Sequence, residues 1–170
     1  MVETGVVWVR MAPMEEVLPP QTASGAGFEG THIRQFTVFL ENRVGRLQTL
    51  LRALEDVTRV VALSIEESAD SALVRLVCAD SDLGRETMQQ DHFSFAETDL
   101  LCVVLPAKTR HPLSGICAAL LAAEINIHYA YPILNSEGQA IALYVEDPTL
   151  AARLLISKGF NLLGESDLKK

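Results

Sequence analysis

The chain has 170 residues, 49% of them hydrophobic, which is enough for one ordinary domain or two small ones. Its net charge of −8 argues against a nucleic-acid partner, because a phosphate backbone requires a basic face. No apolar run is long enough to cross a bilayer, and the N-terminus lacks the pattern of a signal peptide. We therefore expect a cytoplasmic protein with no membrane partner.

Residues 1–33 precede the patterned part of the chain. Val6–Val9 is apolar and could add an edge strand or dock on the body, while Pro19-Pro20 and Ser24–Gly27 are typical of a linker. The segment is equally well interpreted as a poorly ordered leader. The sequence leaves both interpretations open.

The first patterned region begins near Arg34. There, Phe36, Val38 and Leu40 alternate with Gln35, Thr37 and Phe39, as in a strand with one buried face. A leucine stripe then predicts an amphipathic helix from Leu47 to about Asp56. A second strand is predicted at Arg59–Glu67 and a third at Leu73–Ala79. They are followed by a helix at Asp80–Gln90 and a fourth strand at His92–Ala96.

The second patterned region repeats this order. Asp147-Pro148 predicts a capped helix start with proline at the first helical position, and Gly159 predicts its end. A hairpin turn is predicted at Asn135–Gly138. The predicted strands and helices are Leu100–Leu105, Pro112–Glu124, Asn126–Leu134, Gln139–Val145, Asp147–Lys158 and Phe160–Leu163.

The two regions also share residue patterns, which indicates an internal duplication. Val74–Asp80 aligns with Ile141–Asp147, and Glu97–Leu100 aligns with Glu165–Leu168. The sequence thus predicts an α+β fold of two ferredoxin-like βαββαβ repeats, at 34–97 and 98–170, after an N-terminal extension. Each repeat has a four-stranded antiparallel sheet with helices on one face, and two open edges can join into one eight-stranded sheet.

The loop after the first strand resembles a family motif. In Glu41–Leu47, the residues Asn42, Gly45 and Leu47 stand where the ACT domain, a small ligand-binding regulatory module, commonly has an acidic or Asn residue, a glycine and an apolar residue. Ile125-Asn126-Ile127 is similar to the Ile-Asn-Ile element that often opens the second strand in that family. With the element order and the duplication, residues 34–168 resemble a tandem ACT domain.

The resemblance implies a small-molecule ligand, most often an amino acid, held where the glycine loop of one module faces the second strand of a neighbour. The physical chemistry agrees with this. Gly45 lets the backbone approach a ligand closely. A helix that begins at Arg46 presents unpaired N–H groups, which suit a carboxylate. An asparagine side chain can contact both an ammonium and a carboxylate group.

Each repeat lacks one of the two family motifs that the other repeat contains. The second repeat has Pro106–Leu113 in place of the loop, one residue longer and without glycine, and the first has Arg59-Val60-Val61 in place of Ile-Asn-Ile. We therefore predict one composite ligand site per pair of modules, formed within one chain or between the chains of a homodimer. Its residues are Asn42, Arg43, Val44, Gly45, Arg46, Leu47, Asn126, Ile127 and His128.

Each candidate also has a structural interpretation. Gly45 could be a turn glycine, Asn126 could bond the backbone at the start of a strand, and Arg43 and Arg46 could be solvated charges. On the predicted strand, the candidates that either pack on the sheet or line a pocket are His128, Tyr129 and Tyr131. In the altered loop, the candidates that could hold an anion are Lys108, Arg110 and His111.

Catalytic signals are missing from the sequence. The four histidines are scattered without metal-ligand spacing, no serine lies in a nucleophile elbow, and no phosphate-binding glycine loop is present. Cys78, Cys102 and Cys117 lie within apolar patterns, so we predict reduced, buried thiols. We expect no enzymatic activity, no metal and no cofactor.

The sequence therefore predicts a regulatory protein that binds an amino acid or a related small metabolite. The resemblance implies that its partner is an amino-acid biosynthetic enzyme regulated in trans, similar to the regulatory subunit of acetolactate synthase. One alternative is a stand-alone ligand-sensing dimer. The other is a small enzyme on a ferredoxin-like scaffold.

Overall fold

The computed structural model describes residues 31–67, 71–135 and 138–169. The leader up to residue 30 and the tip of the hairpin turn predicted at Asn135–Gly138 lie outside the described residues. The first half contains β1 (His32–Glu41), α1 (Arg46–Glu55), β2 (Val60–Glu67), β3 (Ser71–Cys78), α2 (Ser81–Gln90) and β4 (Ser94–Val104). The second half contains α3 (Pro112–Ala122), β5 (Ile127–Asn135), β6 (Gly138–Val145), α4 (Pro148–Ser157), β7 (Leu162–Leu163) and α5 (Glu165–Leu168).

All described strands belong to one antiparallel sheet. Its path runs β2-β3-β1-β4-β6-β5, and β7 pairs with the last part of β4. The first half therefore has the order β4-β1-β3-β2, and the second half has the equivalent order β7-β4-β6-β5. The prediction of an α+β fold with two ferredoxin-like repeats is confirmed.

One long strand, β4, belongs to both repeats. The sequence predicts separate strands at His92–Ala96 and Leu100–Leu105, and this separation is wrong, since β4 is continuous. Its first part pairs with β1 and its last four residues pair with β6. Glu97-Thr98-Asp99 contains no glycine or proline to end the strand, so the sheet has seven strands instead of eight. The predicted division at residue 97 falls within this strand.

Three apolar clusters hold the layers together. In the first half, Phe36 and Val38 of β1 pack with Leu50 and Leu54 of α1. In the second half, β4 and β6 pack on α3 and α4 in the same way. The third cluster contains residues from strands of both halves, and among the described residues none from α1 to α4. The helix-free faces of the two halves therefore pack against each other, with the helices outside.

This packing buries both faces of β1. The sequence predicts one buried face, with Gln35 on the other, but Ile33 and Gln35 are fully buried between the two halves. The prediction of a single buried face is wrong because a lone repeat would leave this face in water, whereas the second repeat covers it here. A buried glutamine needs hydrogen-bond partners, and it has them.

The repeated tetrapeptides Glu97–Leu100 and Glu165–Leu168 adopt different structures. The first lies within β4 and pairs with β1, while the second forms the short helix α5. Gly164 precedes the second copy, and its N–H donates to Asp167 Oδ2 at 3.0 Å. This local bond favours a helical turn where no neighbouring strand offers a complete ladder. Leu168 of α5 is buried in the cluster between the halves.

Helix starts agree well with the predictions. The Asp80 carboxylate accepts hydrogen bonds from the N–H groups of Asp82 and Leu83 at the start of α2. The Asp147 carboxylate accepts from Leu150 N–H at 2.9 Å at the start of α4. Gly159 follows α4 with φ of +83°, as expected for a helix end.

The prediction for Cys117 is wrong. Cys78 and Cys102 are buried, but Cys117 is exposed. Helix α3 carries apolar side chains on nearly every side, so its spacing did not identify the buried face. That face consists of Ile116, Ala119 and Leu120, while Leu113 is 48% exposed.

Candidate ligand-binding site

The loop between β1 and α1 leaves the start of α1 without a side-chain cap, and the Arg46 N–H donates to the Arg43 carbonyl at 3.2 Å. Gly45 is the N-cap residue with φ of +92°, a conformation that favours glycine, and it has no side chain with which to cap the helix. The first turn of α1 contains no acidic residue. Because the first N–H groups of a helix lack partners within it, this turn suits a carboxylate or another anion.

A small cavity of about 190 Å³ lies beside this loop. The loop contributes Asn42, Arg43, Arg46 and Leu47, and β2 contributes Glu67 among others. The walls thus carry the guanidinium groups of Arg43 and Arg46 and the carboxylates of Glu41 and Glu67. A zwitterionic ligand, with one carboxylate and one ammonium group, has complementary charges.

Internal contacts already orient two of the loop side chains. Asn42 Nδ2 donates to Glu67 Oε1 at 2.7 Å, and the Arg43 guanidinium lies 3.3 Å from the Glu41 carboxylate. The Val44 side chain is fully exposed at the tip of the loop. The Asn42–Glu67 bond ties the loop to the end of β2, so both residues are held at the cavity.

The second predicted half of the site lies at the start of β5. Asn126 is exposed, and its carbonyl accepts a hydrogen bond from Glu146 N–H at 3.1 Å. Ile127 is half-buried, and the exposed His128 ring lies 5.1 Å from the Tyr144 ring. Asn126 therefore has its backbone held by β6 while its side chain faces solvent.

Asn126, Ile127 and His128 do not line the loop cavity of the described chain. The loop residues line the 190 Å³ cavity, whereas residues that flank Asn126, such as Ile125 and Glu146, line another of about 540 Å³. The structure thus brings Asn42, Arg43, Arg46 and Leu47 together in one cavity, and it places Asn126–His128 elsewhere on the surface.

A polar and aromatic cluster between the modules was not predicted. Gln35 Nε2 donates to the Tyr129 hydroxyl at 2.8 Å, and the Tyr131 hydroxyl donates to Gln35 Oε1 at 2.7 Å. Burial raises the pKa of Tyr131, which keeps its hydroxyl protonated as a donor. These contacts show that Tyr129 and Tyr131 join the two halves.

The same cluster extends to β3 and β6. The Arg75 guanidinium lies 4.7 Å from the centre of the Tyr129 ring and 2.8 Å from the Glu66 carboxylate. Tyr129 also stacks on Tyr144, with ring centres 5.0 Å apart. The only sequence signal for this cluster is the pair of tyrosines on β5, because neither Gln35 nor Arg75 belongs to a motif.

The altered loop of the second repeat is exposed. Lys108, Arg110 and His111 all have exposed side chains before α3, and His111 is its N-cap residue without a side-chain cap bond. Anion binding by this loop stays a prediction.

The part of the chain that the structure describes has neither a metal-ligand cluster nor a membrane-spanning helix. Its acidic, histidine and cysteine side chains form no group of three or more that could hold a metal ion. None of its helices combines the length and the apolar character that a membrane span requires.

Comparison with known proteins gives a consistent result. A sequence profile of the ACT domain pair matches residues 31–170. The crystal structure of a Bacteroides thetaiotaomicron protein superposes with a TM-score of 0.75 at 27% identity, over 83% of this chain and 98% of that one. The ligand-free regulatory subunit of Thermus thermophilus aspartate kinase shares the fold, with a TM-score of 0.52 at 12% identity, over 75% of this chain and 91% of that one. No curated protein sequence matches.

Proposed function

Because the chain belongs to the ACT domain family, we propose that it is a non-catalytic regulatory protein that binds an amino acid or a similar small metabolite. The two modules, spanning residues 34–97 and 98–170, supply different halves of the ligand site. The protein acts in the cytoplasm and needs no cofactor.

The observation that carries this proposal is the uncapped start of α1 beside a charged cavity. Gly45 leaves the first turn of α1 without a side-chain cap, and Arg46 adds positive charge. Glu67, held by Asn42, supplies the negative charge that an ammonium group requires. A free amino acid carries both groups on one carbon atom, so it suits a cavity with both charges close together.

We place the composite site between two copies of the chain. Within one copy, the glycine loop and the residues that flank Asn126 line different cavities. The fully exposed Val44 leaves the loop tip accessible to a second chain. The working form is therefore a homodimer, in which Asn126–His128 of the partner closes the loop cavity.

The output of ligand binding is a change in shape or association that acts on an amino-acid biosynthetic enzyme in trans. A ligand biases only those states to which it binds with different affinity, so closure between copies provides the required difference. The aspartate kinase subunit that shares this fold regulates such an enzyme, which makes amino-acid biosynthesis the first place to seek a partner. A stand-alone sensor without an enzyme partner is the alternative.

Thermal unfolding in the presence of each of the twenty amino acids tests the proposal. A ligand that binds only the native protein stabilises it by about 2.7 kcal/mol at 100-fold excess over its dissociation constant. We expect one amino acid, or one chemical group of them, to raise the melting temperature. No shift with any of them would contradict the proposed ligand class.

Two variants locate the site. Gly45→Val forces a β-branched residue into a left-handed conformation and blocks the backbone approach, and Asn126→Ala removes the amide. Both should fold and lose the ligand-induced shift. Gly159→Val and Asn161→Ala are matched controls, because Gly159 also has positive φ with open space at its Cβ, and Asn161 is exposed with its carbonyl bonded to Val104 N–H.

The controls should keep the shift. If the site variants respond to ligand as the controls do, the composite site is wrong. Co-purification then separates the two modes of regulation: a subunit acting in trans retains a biosynthetic enzyme whose rate changes with ligand, while a stand-alone sensor binds ligand and retains none.

A further inference from the structure

An open apolar groove lies where α1 ends and β2 begins. Its volume is about 690 Å³, and its apolar lining includes Leu51, Val57, Val60, Leu63 and Leu134. Val57 and Leu63 are 41% and 40% exposed, and Leu134 of β5 is 73% exposed. Scattered exposed apolar residues are ordinary, but a contiguous lined groove marks a surface that binds another apolar group.

The described chain begins near this groove. β1 and β2 each pair antiparallel with β3, so they run in the same direction and start at the same end of the sheet. Only β3 separates them, which puts the starts of β1 and β2 about 10 Å apart at the usual strand spacing. The residues before His32 therefore enter the fold close to the groove.

The preceding segment contains an apolar sequence of the right kind. Val6-Val7-Trp8-Val9 is the most apolar stretch before residue 31, and Trp8 is the only tryptophan of the chain. Residues 10–30 connect it to Thr31, and a chain of this length spans at most about 70 Å when fully extended. The tether therefore reaches the groove and gives a high effective concentration there.

Charge is also complementary. Arg10 directly follows Val9, and the groove lining has two carboxylates, Glu55 and Asp56, against one cation, Arg59. An aromatic anchor with a flanking cation thus meets an apolar groove whose lining has a net negative charge. Tryptophan is favoured for such contacts because one side chain buries a large apolar area.

We propose that Val6–Val9 of the same chain docks in the groove lined by Leu51, Val57, Val60, Leu63 and Leu134, with Trp8 as its anchor. This contact is separate from the ligand site, since none of its residues belongs to the glycine loop or to Asn126–His128. It gives the N-terminal extension a defined role as a cover for the first module.

Intrinsic fluorescence of the whole 170-residue chain tests this directly, because excitation at a wavelength that tyrosine does not absorb yields emission from Trp8 alone. We expect a blue-shifted emission and a low acrylamide quenching constant compared with the guanidinium-unfolded chain. Leu63→Asp and Leu134→Asp should move both quantities to the values of the unfolded chain, while circular dichroism shows an intact fold. Leu121→Asp is the matched control, since Leu121 is 76% exposed on α3, outside the groove.

The reciprocal experiment uses the groove itself. Trp8→Ser should increase binding of an apolar dye, and adding Leu63→Asp should abolish that increase. The proposal would be overturned if the emission of Trp8 in the native protein matched that of the unfolded chain. It would also be overturned if that emission did not change in either groove variant. A blue shift that disappears on dilution to the monomer would overturn it as well, because a second copy would then occupy the groove.

Discussion

The Tyr131 hydroxyl donates a hydrogen bond of 2.7 Å to the side-chain oxygen of Gln35, across the boundary between the two halves of the molecule. Gln35 lies on β1, and its side chain is fully buried. Its amide also donates to Tyr129, so one glutamine contacts two tyrosines of β5. Together with the apolar contacts of the interface, these directed hydrogen bonds specify how the two sheet faces align.

Removing the Tyr131 hydroxyl should therefore lower the free energy of unfolding by more than the small volume of the hydroxyl suggests. Tyr131→Phe leaves the Gln35 oxygen without this partner, and an unsatisfied buried acceptor costs about 1–3 kcal/mol. Gln35→Leu should have a similar effect, and the double variant should be less destabilised than the sum of the two. Chemical denaturation measures all three. Strictly additive effects would show that the two side chains are not coupled.

Thiol reactivity should distinguish the three cysteines. Burial raises the pKa of Cys78 and of Cys102 to about 12, so neither forms the reactive thiolate near neutral pH. Cys117 is exposed on α3. An aromatic disulfide reagent at pH 8 should therefore modify one thiol in the native protein and three in guanidinium, and Cys117→Ser should abolish the native reaction. Fast modification of a second thiol in the native protein would contradict the buried positions.

The ion pair between Lys169 and Asp80 should make the stability of the protein depend on pH. Lys169 Nζ lies 2.8 Å from Asp80 Oδ2, and hydrogen bonding to Lys169 is the main cause that lowers the pKa of Asp80 below its ordinary value of 3.8. A lowered carboxyl pKa stabilises the native state above pH 3.8, and this contribution disappears as the pH falls through the folded-state value.

Lys169→Met should accordingly lower the melting temperature at pH 7, and the difference from the wild type should vanish in acid. The raised pKa of Lys169 adds the opposite limit, because its contribution is lost as the pH rises through that value. Both side chains are near the surface, so salt should reduce the effect. An equal difference at pH 7 and pH 2 would contradict the ion pair.

Two helical glycines should respond oppositely to alanine. A Cβ on Gly84 of α2 would lie 2.7 Å from the Cys78 sulfur, while one on Gly115 of α3 would meet only Phe160, at 3.4 Å. Gly84→Ala should therefore cost about 1–3 kcal/mol through overpacking. Gly115→Ala should be neutral or gain up to about 1 kcal/mol from helix propensity. Adding Cys78→Ala should relieve much of the Gly84→Ala penalty. Stabilisation by Gly84→Ala alone would show that this contact is not tight.

The sequence predicts local features well because they depend on near neighbours. The Asp80 and Asp147 caps, the Gly159 helix end and the two-fold element order all follow from short patterns. Glu97–Leu100 and Glu165–Leu168 show the limit, since nearly the same tetrapeptide is strand in one place and helix in the other. What differs is the neighbouring strand, which a local pattern does not contain.

The candidate site shows the same division. Gly45 lies in the loop directly before α1, as the loop motif predicts, and four of the predicted loop residues share one cavity. Gln35 could not be predicted, because its burial depends on a face-to-face contact between repeats that are distant in sequence. The proposed partnership of the loop with Asn126 likewise depends on assembly.

Complementation between two variants tests the composite site most directly. Gly45→Val and Asn126→Ala chains are mixed, unfolded and refolded, and the amino acid found by thermal screening is titrated calorimetrically. Random pairing makes half of the dimers mixed, and each mixed dimer holds one intact site, so about one quarter of the wild-type capacity should return. Either variant alone should bind none. If the mixture also binds none while mixed dimers are present, the ligand site does not form between copies, and the account is wrong.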